Sequence, residues 1–196
     1  PLGVRQLADL ANVKSPGSVS KILPTLVAAD AVKRDSNGQV VEIHRRTMLE
    51  RWTEDYSILH SNGVALDFLA PRGLGSVLQQ LPAVDRVSVT GAHAAHAYLE
   101  PGTVPVVPAT RLALYVDDMP SVQRALGLSR SERHVANVIM VAPKDKSLLT
   151  PHRHTPLPVV PLPQCLADLM TLPGREGSLA DQLLDQLAQK DSAWKR

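Results

Sequence analysis

The first 56 residues carry two successive helical patterns of apolar residues. The first pattern, near helical spacing, consists of Leu2, Val4, Leu7 and Leu10. After a polar break, Ser15 is a good N-cap and Pro16 occupies the favoured first helical position. The second stripe, at i, i+3, i+4, i+7 and i+8, consists of Val19, Ile22, Leu23, Leu26 and Val27. The pattern predicts two short helices, the second interrupted or kinked at Pro24.

The pattern changes after Asp30 from helical to extended. Residues 31–34 and 40–43 favour two short strands, and Asn37-Gly38 between them tolerates the positive φ angles of a tight hairpin turn. A further helix is predicted from Arg45 to about Tyr56.

The remainder of the chain alternates between strand and helix signals. Strands are predicted at 64–69, 87–89, 112–116 and 135–141, with helices at 74–81, 92–99, 163–172 and 178–189. The predicted fold class is therefore α/β (α+β). It comprises a winged helix-turn-helix at residues 1–57 and a mixed α/β domain at residues 58–196.

A helix, a turn, an amphipathic helix and a hairpin follow one another in the order of a DNA-binding winged helix-turn-helix. The major groove admits one helix, and the hairpin reaches a neighbouring stretch of backbone. The residues predicted to contact DNA are small, polar or cationic. They are Lys14, Ser15, Gly17, Ser18, Ser20, Lys21, Lys33, Arg34, Asn37, Arg45 and Arg46.

Charge supports a local rather than a general interaction with DNA. The whole chain carries a formal charge of +2, whereas residues 14–46 hold six cationic and three acidic side chains. Aromatic residues make up 3%, too few for a base-stacking platform for single strands. Winged-helix domains that bind only protein share the same element order, so that alternative stays open.

Composition narrows the remaining classes of protein. The chain has 196 residues, 44% of them apolar, which is ordinary for a folded protein. A single cysteine, Cys165, excludes an internal disulfide framework and a cysteine-based zinc cluster, and is expected to be buried. There is neither a long apolar run nor a secretory leader, so we expect a cytoplasmic protein without a membrane partner. The first residue is Pro1 rather than Met, and we expect a preceding segment.

Few residues are arranged for catalysis. His93 and His96 share a helix face but lack further ligands, and Asp117-Asp118 at a strand end is explained equally well by a turn. We therefore predict no enzyme activity, no catalytic residue, no metal and no cofactor. In the C-terminal part, Asp168 lies in an apolar helix and is expected to pair with Arg175 beyond the Pro173-Gly174 turn, a structural role.

Several short motifs occur in an order that resembles the AbiEi family, the antitoxins of type IV toxin–antitoxin systems. They are the winged-helix start, Val89–Ala95, Leu114–Val116, Ala136–Val138, Ala167–Leu169 and Gly174-Arg175. The resemblance implies an autorepressor that binds operator repeats in double-stranded DNA upstream of its own operon. It also implies a functional link to a nucleotidyltransferase-like toxin without a stable complex.

Two alternatives from other classes stay open at this point. One is a nuclease-derived enzyme domain fused to a winged helix, for which the densest charged set is Asp117, Asp118, Lys144 and Asp145. The other is a ligand-responsive winged-helix regulator whose C-terminal pocket senses a small molecule.

Overall fold

A computed structural model describes residues 1–150, 153–154 and 156–195 of the chain. The chain forms two compact units, Pro1–Asp55 with Leu184–Arg196, and Tyr56–Leu183. The sequence placed a boundary after residue 57 and assigned the whole C-terminal part to the second domain. Residues 184–196 instead belong to the first unit, where Asp191 and Trp194 contact Arg45. Local patterning did not reveal this because the partners are far apart in the sequence.

The first unit follows the predicted order of elements. Its helices and strands are α1 (Val4–Leu10), α2 (Pro16–Ala28), β1 (Val32–Arg34), β2 (Val40–Ile43) and α3 (Arg45–Asp55). Strands β1 and β2 form an antiparallel hairpin, and Leu2 adds an antiparallel bridge to Val40. Helix α2 continues past Pro24 for a further turn.

Both α1 and α2 end on a short polar residue in the left-handed conformation. These are Asn12, with φ of 51°, and Asp30, with φ of 55°. In each case the next backbone N–H donates to the carbonyl five residues earlier, at 2.8 and 2.9 Å. This is the Schellman arrangement, in which Asn or Asp tolerates a conformation that glycine usually supplies. The two caps turn the chain from α1 into α2 and from α2 into the hairpin.

The core of the first unit orients α2. Leu23 of this helix is buried with Val32 and Val40 of the hairpin. Packed around them are Val4, Leu7, Val19, Leu26, Ile43 and Met48. Because helical positions repeat every 3.6 residues, burying this stripe leaves Ser18 and Lys21 on the opposite, exposed side of the helix.

The second unit contains a mixed sheet, and the α+β class is confirmed. Among the described residues the sheet has seven strands in the order β6-β3-β7-β5-β4-β9-β8. They are β3 (Ala65–Leu69), β4 (Val87–Thr90), β5 (Leu112–Val116), β6 (Ser129–Arg130), β7 (Val138–Val141), β8 (Arg153–His154) and β9 (Pro158–Val159). The pairs β5–β7 and β4–β9 are parallel, and the other neighbours are antiparallel.

Five α-helices accompany the strands between residue 56 and the end of the described chain. They are α4 (Leu74–Gln80), α5 (Gly91–Tyr98), α6 (Met119–Leu126), α7 (Leu162–Thr171) and α8 (Glu176–Lys190). Helix α6 was not predicted. It buries only Val122 and Leu126, and it is defined by its ends, with Asp118 as the N-cap and Gly127 in the left-handed conformation.

Gly91 provides a test of the β4–α5 connection. It is buried with φ of 66°, and a Cβ added there would lie 3.1 Å from Leu172 Cδ1. We expect Gly91→Ala to lower the free energy of unfolding by about 1–3 kcal/mol, measured by urea denaturation. Gly75→Ala is the matched control, because it lies in α4 with open space around it and should be neutral or stabilising by up to about 1 kcal/mol. Equal stabilities of the two variants would contradict this account of Gly91.

Candidate functional site

The outer face of α2 carries the predicted helix contacts. Residues Lys14, Ser15, Gly17, Ser18, Ser20 and Lys21 are all exposed. Within the part of the chain that the structure describes, Lys14 and Lys21 form no ion pair. Their charges are therefore available to an anionic ligand, and contact of this face with DNA stays a prediction.

The hairpin tip is held by its own hydrogen bonds. The Asp35 carboxylate accepts from the backbone N–H groups of Asn37 and Gln39, at 2.9 and 2.8 Å. Arg34 Nε donates to the Gly38 carbonyl at 2.7 Å. This bond uses one of five guanidinium donors, so the exposed Arg34 side chain keeps four for another partner. The exposed Asn37 side chain lies at the same tip.

Lys33 at the base of the hairpin is already partly neutralised. Its Nζ lies 3.1 Å from Glu42 Oε2, and both side chains are about half exposed. The hydrogen bond from His44 and then that from Lys33 lower the pKa of Glu42. Lys33 is therefore a weaker candidate for a phosphate contact than the lysines of α2.

The structure excludes Arg46 from the candidate interface. Its side chain is 9% exposed, with Nε 3.3 Å from Glu50 Oε1 and Nη1 3.4 Å from Asp185 Oδ1. Arg45 is also engaged, since it pairs with Asp191 and lies 5.8 Å from the centroid of the Trp194 ring. Sequence reasoning assigned both arginines to DNA because Asp191 and Asp185 lie about 140 residues away in the chain and the i,i+4 pairing of Arg46 with Glu50 was not considered.

Two further residues of the first unit, Arg5 and His44, were missed in the sequence. Arg5 on α1 is exposed and, within the described residues, forms no ion pair. It lies between the apolar positions Val4 and Leu7, a pattern that already marks it as outward-facing. His44 lies between β2 and α3, and only the folded structure reveals its partners.

The second unit contains a buried carboxylate, Asp168, surrounded by hydroxyl and amide donors. Its Oδ2 accepts from Thr90 Oγ1 at 2.6 Å. Its Oδ1 accepts from the Tyr56 hydroxyl at 2.6 Å and from Gln164 Nε2 at 2.8 Å. The Tyr115 hydroxyl donates to both oxygens, at 2.9 and 3.0 Å. These five residues form one hydrogen-bonded cluster with no exposed surface at Asp168.

The predicted pairing of Asp168 with Arg175 is wrong. Arg175 is exposed, and no ion pair joins the two among the described residues. Burial raises the pKa of Asp168 to about 6, and the four donors oppose this effect by stabilising the charged form. The hydroxyl donors come from residues 53 to 112 positions away, so local sequence does not reveal them. A structural role for Asp168 stays a prediction.

The acidic pair at the end of β5 is committed to local contacts. Asp117 accepts from Arg86 Nε and Lys146 Nζ, each at 2.7 Å. Asp118 caps α6 by accepting from the backbone N–H and the hydroxyl of Ser121. Both carboxylates line a cleft of about 300 Å³. Among the described residues, no three His, Cys, Asp or Glu side chains are grouped to hold a metal ion.

Cys165 is fully buried, as expected, and burial raises the pKa of its thiol. A neutral thiol without solvent access suits packing rather than nucleophilic chemistry.

Substituting Asp168 tests the cost of its burial. The native state binds the proton more tightly than the unfolded state, whose ordinary pKa is 3.8. The contribution of Asp168 to stability therefore falls as the pH rises from about 4 to about 6, by about 3 kcal/mol in all. Asp168→Asn cannot ionise and should escape this loss. The free energy of unfolding of Asp168→Asn, measured in urea, should thus increase relative to that of wild type across this pH range. Parallel dependences of stability on pH in the two proteins would contradict the raised pKa of Asp168.

None of the helices in the described ranges is long and apolar enough to cross a bilayer. No protein-family model, curated protein or solved structure matches the chain.

Proposed function

We propose that the chain is a sequence-specific DNA-binding regulator of transcription and that its first 55 residues read duplex DNA. The observation that supports this most is the two-sided character of α2. One side of the helix is packed in the core, whereas the other presents small polar side chains to solvent, together with two lysines that form no ion pair with any described residue. The proposal requires no catalytic residue, metal or cofactor.

The residue types on this face fit two different kinds of contact. Gly17 and Ser18 are small enough to let the helix backbone approach the base edges of the major groove, where a hydroxyl can donate or accept. Lys14, Lys21 and Arg34 carry flexible cations suited to phosphate oxygens, which position a protein without reading sequence. The helix thus supplies specificity, and the cations supply affinity.

The charge pattern sets the expected salt dependence. Of the six cations between residues 14 and 46, Lys33, Arg45 and Arg46 are paired with acidic side chains. The remaining three, if each neutralises one phosphate, give a slope of about −2.7 in log affinity against log salt for one chain. The full set of six would give about twice that slope.

The resemblance to AbiEi antitoxins supports a narrower version of the proposal. In that version the chain represses its own operon by binding repeats upstream of it, and it opposes a nucleotidyltransferase-like toxin without a stable complex. Binding to the DNA upstream of the protein's own gene, with a nucleotidyltransferase-like gene beside it, would support this version. Absence of such a neighbouring gene would contradict it while leaving DNA binding unaffected.

The cleft beside Asp117 and Asp118 favours a second candidate, a regulator that responds to a small molecule. Its lining combines apolar Val84, Val122 and Ala125 with charged Arg86 and Asp117, a mixture typical of ligand pockets. Native mass spectrometry of freshly purified protein would detect a retained metabolite, which would support this candidate. A protein that retains no ligand, and whose DNA binding does not respond to small molecules, would contradict it.

Substitutions on α2 and the hairpin test the DNA proposal. The DNA is the duplex that wild-type protein selects from a random library, compared with unselected duplex at several salt concentrations. Lys21→Ala and Arg34→Ala should weaken binding to both duplexes alike and reduce the salt slope by about 0.9 each. Ser18→Ala should instead narrow the difference between the two duplexes by about 1–3 kcal/mol.

Lys144→Ala is the matched control, because it removes an exposed lysine from the second unit and should leave binding unchanged. The proposal fails if wild type selects no duplex, or if the three variants of the first unit bind as wild type does.

A further inference from the structure

Both ring nitrogens of His44 face hydrogen-bond acceptors. Nδ1 lies 2.7 Å from the backbone carbonyl oxygen of Asp30, and Nε2 lies 2.8 Å from Glu42 Oε1. A carbonyl and an ionised carboxylate can only accept, so each nitrogen has to carry a proton. A neutral imidazole has one N–H and would direct a lone pair at one of these oxygens. The contacts therefore require a doubly protonated, positively charged ring.

The first partner of this ring is the strained end of α2. Asp30 is the left-handed residue that terminates the helix, a conformation disfavoured for side chains other than glycine. The ring holds the Asp30 carbonyl, and the Asp30 carboxylate lies 3.5 Å from Nδ1. The His44 backbone N–H also donates to the Ala31 carbonyl at 2.9 Å. His44 thus fastens the end of the candidate recognition helix.

The second partner belongs to the hairpin. Glu42 on β2 is shared between His44 and Lys33, with one carboxylate oxygen toward each. Glu42 and Lys33 are also paired in the register of β1 and β2. A single imidazolium therefore connects the end of α2 with both strands at the base of the hairpin.

We propose that His44 is a positioning residue and proton switch of the DNA site: its doubly protonated ring fixes the hairpin to the end of α2, and loss of one proton weakens DNA binding. This inference rests on the proposed function. It assigns to the DNA site a dependence on pH that none of the predicted contact residues provides.

The effect of deprotonating His44 depends on which ring nitrogen loses its proton. If Nδ1 gives up its proton, the carbonyl of Asp30 loses its partner, and the left-handed end of α2 loses support. If Nε2 gives up its proton, Glu42 keeps Lys33 as its one cationic partner, and the Nε2 lone pair then faces the Glu42 carboxylate. Either change lowers the positive charge of the DNA-facing unit by one and reduces affinity.

The charged groups around His44 place the switch on the alkaline side of an ordinary histidine. The hydrogen bond to Glu42 is the main cause that raises the pKa of His44, and Asp30 adds to it. Partial burial and the charge of Lys33 on β1 act in the opposite direction. On α3 the neighbouring Arg45 is paired with Asp191. Because the folded pKa is raised, the stabilising effect is complete below the ordinary value and is lost as the pH rises through the folded value.

The direct test combines NMR titration of His44 with DNA titrations across pH. In the free protein at about pH 6, both ring nitrogens of His44 should be protonated, with a pKa above the ordinary histidine value of 6.5. DNA affinity should fall about tenfold between about pH 6 and about pH 9. By linkage, the same tenfold ratio requires bound DNA to raise the pKa of His44 by about one unit.

Two substitutions separate the switch from a general effect of pH. His44→Gln has no ionisable ring. It should therefore bind DNA with the weak affinity of wild type at alkaline pH throughout the range from about pH 6 to about pH 9. Glu42→Gln keeps the ring but removes its main stabilising charge, so the fall in affinity should move to lower pH. His134→Gln is the control, because it removes an exposed histidine that lies 3.4 Å from Glu132. This variant should keep the wild-type dependence of DNA affinity on pH.

The outcomes distinguish the switch from the proposed function. If wild type binds duplex DNA but His44→Gln keeps the wild-type pH profile, the switch is wrong and the proposed function stands. A neutral His44 ring in the free protein at about pH 6 also overturns the switch. If wild type binds no duplex at any pH, the proposed function fails, whatever the NMR titration shows.

Discussion

The apolar stripe of α2 can be buried in only one orientation, and the candidate DNA surface depends on that constraint. Val19, Leu23 and Leu26 recur at helical spacing and pack against the hairpin. Once they are buried, the polar residues between them have to face solvent. The same core places the hairpin, because Val32 and Val40 complete it from the two strands. Packing thus decides which side chains of α2 face solvent.

Patterning predicted the order of helices and strands in the first unit, although Ile22 and Val27 of the predicted α2 stripe lie exposed. The same reasoning predicted the buried strands β4, β5 and β7, whose residues are apolar or small. It failed at α6, which has only two buried apolar residues and owes its definition to capping by Asp118 and Gly127. These ends are nevertheless readable in the sequence, because Asp118 before the helix, Pro120 in its first turn and Gly127 after it are start and stop signals.

Side-chain partners were predicted less well than elements, and the reason is sequence distance. Arg45 and Arg46 look like phosphate contacts beside the hairpin, yet each has an acidic partner in the last twelve residues of the chain, and Arg46 also pairs with Glu50. Asp168 looks like one half of a local ion pair, yet its donors are Tyr56, one residue on each of β4 and β5, and one residue on its own helix. Charge counted along the sequence therefore overestimates the charge that remains free on the surface.

Asp168 and His44 show two opposite ways in which a folded chain determines a protonation state. Burial disfavours the charged form of Asp168, whereas two acceptors favour the charged form of His44. Both stabilising contributions nevertheless decrease as the pH rises, the first below about pH 6 and the second above the ordinary range of histidine. The pH range in which Asp168 ionises lies below the range in which His44 loses a proton, and the two residues lie in different units. A loss of DNA affinity on the alkaline side therefore does not come from Asp168, which has already ionised there, and the His44 and His134 variants assign it to one histidine.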